Sequence, residues 1–363
     1  MVTAEKSRID CRHIDVLDGI RAVSVIIVLI FHFWQQTWIF PVIKTPWLAF
    51  VGITKIDFSN FATVGYLFVD MMVLISGFLL FLPLMRSIIL GEEMSSWKNY
   101  ARRRIARIVP SYYFAVLLLF FASALPTGAY ATTADALKDL FAHLTFTQTL
   151  WVNTYIATPL DVVLWTVAIE VWFYVLFPFV AEFIKGPRNK NRQSFTPAYG
   201  IFFIFAVFNI INYVYTENFV LKGNVYLAMR INQFPAFLGV YSIGMLGASA
   251  FVLIAKNCRR SRIFNAVNTL FSVFSILLIV YLINDCVATQ ERQVWQVTER
   301  SKLAFVFMTF IITTALSSKW YRWLFSNKFM RFLSGISYNL YIWHQWLAVQ
   351  CKNTWRIPKW SGE

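Results

Sequence analysis

Long apolar blocks, separated by short polar and basic segments, dominate the chain. Nine stretches read as membrane spans, near residues 16–33, 61–85, 109–126, 161–184, 199–214, 233–255, 266–283, 303–316 and 334–350. Crossing about 30 Å of hydrocarbon takes about 20 mostly apolar residues, and the fifth and eighth stretches are the shortest. The pattern predicts an all-α, polytopic transmembrane helix bundle. The whole chain, 1–363, reads as one membrane domain without a separate soluble domain. Its largest polar excursion, 127–160, contains ADALKDLFAHLTF, whose apolar and polar positions fit an amphipathic helix on or in the outer surface.

Composition excludes a soluble domain: 58% of residues are hydrophobic, 18% aromatic and only 14% charged. A soluble protein carries about 25% charged residues. The cysteines at 11, 258, 286 and 351 are scattered, which argues against a disulfide framework or a metal site. The net charge of +15 is unevenly placed. With the N-terminus cytoplasmic, the inner segments 1–15, 86–108, 185–198, 256–265 and 317–333 carry 21 Lys and Arg, and the outer loops carry 8. Basic loops resist translocation, so this asymmetry predicts an N-terminus on the cytoplasmic side of the inner membrane. It also explains the basicity without nucleic acid. The first 15 residues are polar and the apolar run after them is long enough to span, so it reads as an anchor rather than a cleaved leader. Nine spans leave the basic tail 352–363 outside, and a tenth span is expected in the full-length protein.

Ionisable groups inside a bilayer are costly unless they face a protein interior or a wet cavity, which makes each one a functional candidate. The spans hold Asp18, Arg21, His32, Asp70, Glu170 and His344. Arg21 and His32 are eleven residues apart, which puts them on one helix face separated by about 16.5 Å of rise. Asp18 lies three residues before Arg21, within reach of an i,i+3 pair. Ser337, Tyr341 and His344 recur at i, i+4 and i+7 and line one stripe of the last span. Counted from the expected topology, His32, His344, Asp70 and Glu170 converge in the middle to outer half of the bundle. The plainer readings are interfacial anchoring for Arg21 and His32 and a packing role for His344.

RRRIAR at 102–107 precedes Val109 and Pro110, and proline suits the first turn of a new helix. Arg104 and Arg107 then face one side, with Arg103 beside them. The run serves either as a topology signal or as a set of guanidinium forks for a polyphosphate such as that of coenzyme A.

At these residues the chain resembles acyltransferase family 3, the bacterial integral-membrane O-acyltransferases. Five patches match in the family's order: LDGIRAVSVIIVLIFHF (17–33), FVDMMVLISGFLL (68–80), RRRIARIVPSYY (102–113), LWTVAIEVWFYVLFPF (164–179) and LSGISYNLYIWH (333–344). The resemblance implies about ten transmembrane helices and acyl-CoA, usually acetyl-CoA, as donor substrate. It implies that His32 is the essential histidine, Arg21 its basic partner, and Arg104 and Arg107 the two-arginine motif. Asp70 and Glu170 match the family's acidic residues. Many members have Glu-Glu-Gln where this chain has Glu170, Val171 and Trp172, so a second carboxylate is missing there. The chain also stops before the family's usual last helix.

Acyl transfer to a hydroxyl needs a base for its proton and a donor to the carbonyl oxyanion. The expectation is that Arg21, Arg103, Arg104 and Arg107 hold the phosphates of cytoplasmic acyl-CoA. His32 deprotonates the acceptor, oriented by Asp70 or Glu170, and Tyr341 or His344 donates to the oxyanion. An acyl-enzyme on Ser337 or a tyrosine is an alternative. The expected acceptor is a hydroxyl of a surface, exported or lipid-linked saccharide, in contact with membrane lipid. Two other readings are a transporter or flippase using the buried His, Asp, Glu and Arg as a path, and a sensor that binds CoA without turnover.

Overall fold

The computed structural model describes residues 9–186, 197–222 and 226–355. The basic segment 185–198, with Asn191 at its centre, and the tail beyond Trp355 lie mostly outside the described residues. Counting helices of eight residues or more, α1 is Val16–Thr37, α2 Phe68–Leu90, α3 Trp97–Leu119, α4 Thr133–Leu144, α5 Trp165–Lys185 and α6 Pro197–Tyr215. They are followed by α7 Phe234–Asn257, α8 Arg262–Ala288, α9 Arg300–Leu316, α10 Lys319–Ser326 and α11 Lys328–Trp355.

Seven helical segments are long and apolar enough to cross a membrane: Val16–Thr37, Gly65–Leu90, Trp97–Ala124, Val162–Lys185, Pro197–Leu221, Phe234–Asn257 and Arg262–Ala288. They overlie the first seven expected spans. The eighth and ninth fall on α9, which has only 17 residues, and on α11, which Ser337, Asn339, His344 and Gln345 make more polar. α9 and the Lys319–Thr354 path together make one further crossing bent by 116°. Length and apolarity thus give seven or eight crossings among the described residues.

Burial is inverted relative to a soluble protein. Phe179, Leu270 and Ile263 are 70%, 70% and 77% exposed, whereas Asp70, His344 and Arg300 are buried. The outward apolar side chains suit lipid, and the polar ones meet inside. Small residues set the closest approaches. A Cβ on Gly77 would lie 2.8 Å from the Tyr241 carbonyl oxygen, and one on Gly244 would lie 2.6 Å from that of Leu74. α2 and α7 therefore pack backbone to backbone, as small-residue interfaces allow in membranes. Gly19 does the same for the base of α1, where a Cβ would overlap the Phe325 carbonyl of α10.

Two elements depart from expectation. α3 does not begin at Pro110. It starts at Trp97, capped by the Ser96 hydroxyl accepting from the Asn99 N–H, and runs through the proline. The arginine-rich stretch is built of good helix formers, and spans tolerate internal proline, so RRRIAR lies within a helix rather than ahead of one. The loop after α1 holds a short antiparallel hairpin, β1 (Val42–Lys44) and β2 (Lys55–Asp57), which no periodicity had suggested. α4 is amphipathic as expected, with its polar side inward: Asp139 and His143 are buried, while Leu137 and Phe141 are 60% and 67% exposed.

Candidate active site

α1 and α11 pack along one another. Near their starts the Ser334 hydroxyl donates to Asp18 Oδ1 at 3.3 Å. Further along, His344 Nε2 lies 2.9 Å from His32 Nδ1, so the two helices run parallel and bring their histidines into contact. Hydrogen bonding fixes the tautomers of the neutral pair. His344 Nδ1 sits 2.6 Å from the Tyr341 carbonyl oxygen, which only accepts, so that nitrogen carries the proton and His344 Nε2 is an acceptor. His32 Nδ1, 3.0 Å from the Val28 carbonyl, must then carry its own proton and share it between Val28 and His344. Nε2 of His32 keeps a lone pair that no group among the described residues engages.

Two cavities share two lining residues, and one of them reaches His32 of this pair. The first, of about 60 Å³, lies toward the arginine-rich end and is lined by Arg21, Arg107, Glu170, Ser337 and Tyr341 among others. Glu170 Oε1 accepts from the Ser76 hydroxyl at 3.2 Å and from Tyr174. Neither Arg21 nor Arg107 has a carboxylate within 4 Å among the described residues. The second, of about 500 Å³, is lined by His32, aromatic side chains including Trp34, Tyr155 and Trp165, and several amides. Val69 and Tyr341 line both.

The other expected site residues are placed differently. Asp70 is buried against Arg300, whose Nε lies 3.3 Å from Asp70 Oδ2. It lines neither cavity, and neither it nor Glu170 hydrogen-bonds His32; His344 takes the orienting place expected of them. Both ring nitrogens of His344 are engaged, Nε2 with His32 and Nδ1 with the Tyr341 carbonyl, whereas Tyr341 lines both cavities. Arg104 turns from the first cavity and stacks on Tyr100 and Tyr174, 5.5 and 5.0 Å from their ring centroids, and Arg103 is exposed on the helix surface. Asp18 contacts Ser334 and His13, with no ion pair to Arg21 among the described residues. Ser337 donates to the Ser334 carbonyl at 2.8 Å.

Sequence reasoning missed Asp161, which tethers the site from outside. Its Oδ1 accepts from the Val163 N–H at 3.2 Å, starting the helical segment that carries Glu170. Its Oδ2 accepts from the Trp346 N–H at 3.2 Å, two residues beyond His344. Burial pushes this carboxyl up to about 7, against the pull of those two N–H donors and of His143. Among the described residues no group of three or more His, Cys, Asp and Glu side chains could hold a metal ion.

Residues 14–359 match the acyltransferase domain family in a single stretch. The chain belongs to acyltransferase family 3. Family membership makes residues 14–359 an acyltransferase domain integral to the membrane, in keeping with its apolar helices. It is 26% identical over 355 residues to "Putative O-acetyltransferase SACOL0978" of Staphylococcus aureus (strain COL), covering 92% of this chain and 50% of that protein. "Putative acetyltransferase ORF330" of Acidianus two-tailed virus is 25% identical over 261 residues, 69% of this chain and 65% of the viral one. The O-acetyltransferase OatA of Staphylococcus aureus (strain NCTC 8325 / PS 47) is 28% identical over 201 residues, 51% of this chain and 28% of OatA. The chain thus spans about half the length of the first of these relatives. No solved structure matches it significantly.

Proposed function

We propose that the protein moves an acyl group, most simply acetyl, from cytoplasmic acyl-CoA to a hydroxyl of an exported or lipid-linked saccharide at the inner membrane. The observation that carries this reading is the pair of cavities. One offers two guanidiniums without ion-pair partners among the described residues, the other offers His32, and Tyr341 stands at their junction. Arginine forks suit the phosphates of CoA, and aromatic and amide side chains suit a sugar. At about 60 Å³ the first cavity holds a few waters and not a pantetheine arm, so donor entry requires the helices around Arg21, Arg107 and Glu170 to part.

The chemistry follows from the tautomers. Nε2 of His32 accepts the acceptor's hydroxyl proton as the oxygen attacks the thioester carbonyl, and the Tyr341 hydroxyl donates to the developing oxyanion. Collapse breaks the carbon–sulfur bond, and the thiolate of CoA leaves with the proton that His32 had taken. Direct transfer is favoured over an acyl-enzyme on Ser337, because that hydroxyl donates to a backbone carbonyl and has no base beside it.

The test is labelled acetyl-CoA added to the purified full chain, reading CoA affinity and transfer to membrane-derived acceptor together. Arg107→Ala should weaken CoA binding by about tenfold, in the range of a charge-assisted contact, and Arg104→Ala by less, since its guanidinium is stacked on tyrosines. Equal affinities in both variants and wild type would remove the arginines from the donor site. In a background with the native cysteines replaced, a cysteine at Asn153 should label from outside the cell and one at Asn257 only after the membrane is opened. The reverse pattern would overturn the orientation and with it the donor side.

A further inference from the structure

The cavity beside His32 has an unusual balance of polar groups. Among the described residues Arg292 is the only charged side chain lining it, and no carboxylate does, although Arg292 also borders a neighbouring cavity that Glu291 lines. One guanidinium nitrogen of Arg292, Nη2, is anchored 3.1 Å from the Val287 carbonyl oxygen at the end of α8. No carboxylate lies within 4 Å of it among the described residues. The head is thus held by a backbone carbonyl rather than by a carboxylate.

The amides tell the same story. Gln35, Gln293, Gln296 and Gln345 also line this cavity, and none of these four side chains has a hydrogen-bond partner among the described residues; Gln35 and Gln293 are exposed and Gln345 half-buried, whereas Gln296 is only 5% exposed. Elsewhere in the bundle comparable amides are engaged. Gln148 donates to Tyr112 and to the Leu164 carbonyl, and Gln233 to the Thr149 and Met229 carbonyls. The indole N–H of Trp34, another lining residue, is buried without a partner. Buried polar groups without partners cost stability, so the two that are buried here, the Gln296 side chain and the Trp34 indole N–H, point to a site completed by a ligand.

We infer that the acceptor carries an anionic group, a carboxylate or a phosphate, which Arg292 binds while the glutamines and Trp34 bind its oxygens and the chosen hydroxyl is presented to His32. This rests on the acyl-transfer reading and narrows its acceptor to an acidic saccharide. A neutral sugar would leave the guanidinium as the one charge in the cavity without a counter-charge. An anion forms a charge-assisted pair with it, stronger than a neutral hydrogen bond.

Membranes from the source cells supply the acceptor for the test. Wild-type protein and Arg292→Gln are incubated with labelled acetyl-CoA, CoA affinity is measured on the same preparations, and the labelled product is resolved on an anion exchanger. Label should be retained as acidic material, and Arg292→Gln should transfer at least about tenfold more slowly at limiting acceptor while binding CoA as the wild type does. Arg292→Lys, which keeps the charge, should recover part of the rate. Coupling the product to methylamine with a carbodiimide distinguishes the two acids, because it neutralises a carboxylate and leaves a phosphodiester charged. Labelled product in the neutral fraction, or an Arg292→Gln protein as fast as wild type, overturns the inference. An absence of labelled product from wild type would instead count against acyl transfer itself.

Discussion

His32 with His344 and Asp70 with Arg300 are both polar pairs inside the bundle, and each joins an early helix to a late one. They differ in what they leave over. In the histidine pair every nitrogen but one has a partner, and that one belongs to a residue lining a cavity. In the ion pair, Arg300 donates from Nε to Asp70, donates from Nη1 to the Ile231 and Ala236 carbonyls at 3.0 and 3.1 Å, and lies 4.3 Å from the Phe237 ring centroid. Asp70 is completely buried and Arg300 3% exposed. The ion pair ties α2, α7 and α9 together and, although Asp70 Oδ1 and Arg300 Nη2 are also buried without partners among the described residues, it lines neither cavity. A charge within a span is therefore a reason to look for a site, and the free lone pair beside a cavity is what marks one.

The largest effect expected from this contrast is at His32. His32→Ala should lower transfer by about 10²- to 10⁴-fold, the usual contribution of a positioned base, while the protein inserts normally and binds CoA at the arginine-lined end. Near-normal turnover in that variant would remove His32 from the chemistry.

Asp70→Ala should do the opposite. It strands the Arg300 charge in the bundle, and removing one partner of a buried pair costs about 3–5 kcal/mol. The loss should appear as a lower melting temperature in detergent, with turnover per folded molecule close to wild type. The double substitution Asp70→Leu with Arg300→Met, which removes both charges, should recover most of the stability. A well-folded Asp70→Ala protein with a collapsed turnover would return Asp70 to the active site and erase the distinction between the pairs.

How far each pair was legible in the sequence follows from geometry. The shared face of Arg21 and His32 is helical arithmetic within one span, and the similar depth of His32 and His344 follows from counting residues along two spans. The partner of Asp70 lies 230 residues away, at the end of a stretch that reads as an outer loop, and no local pattern points to it. The same holds for the cavity around Arg292, Gln293 and Gln296. These fall at i, i+1 and i+4 on the short helix Arg292–Thr298, a spacing that places them on adjoining faces, but the segment is too short and polar to stand out in a chain scanned for spans. Pro110 misled for a related reason: helix-start statistics from soluble proteins weigh less in a membrane, where a span continues through proline.

His344→Ala and His344→Gln sharpen the comparison further. Alanine removes the acceptor of the His32 Nδ1 proton and should slow transfer on the order of tenfold, the worth of one hydrogen bond. Glutamine offers an amide oxygen to the same proton and should restore much of the rate, which a purely packing role would not produce. Equal rates in the two variants would mean that His344 acts through packing alone.

Asp161 is the intermediate case, a buried carboxylate bound by two backbone N–H groups with no arginine beside it. Burial holds its carboxyl near 7 in the folded chain, above its ordinary value of 3.8. The folded state therefore binds the proton more tightly than the unfolded chain does. The resulting stabilisation is complete below about 4 and is lost as the pH rises through about 7, the value that burial sets. Asp161→Asn has no proton to lose. Melting temperatures compared from about pH 5 to about pH 8 should show the wild type declining relative to the variant by at most about 2–3 kcal/mol, since about two pH units of the titration fall in that window. Parallel slopes would mean that the two N–H donors hold the carboxylate ionised throughout and that Asp161, like Asp70, is a fixed charge of the framework.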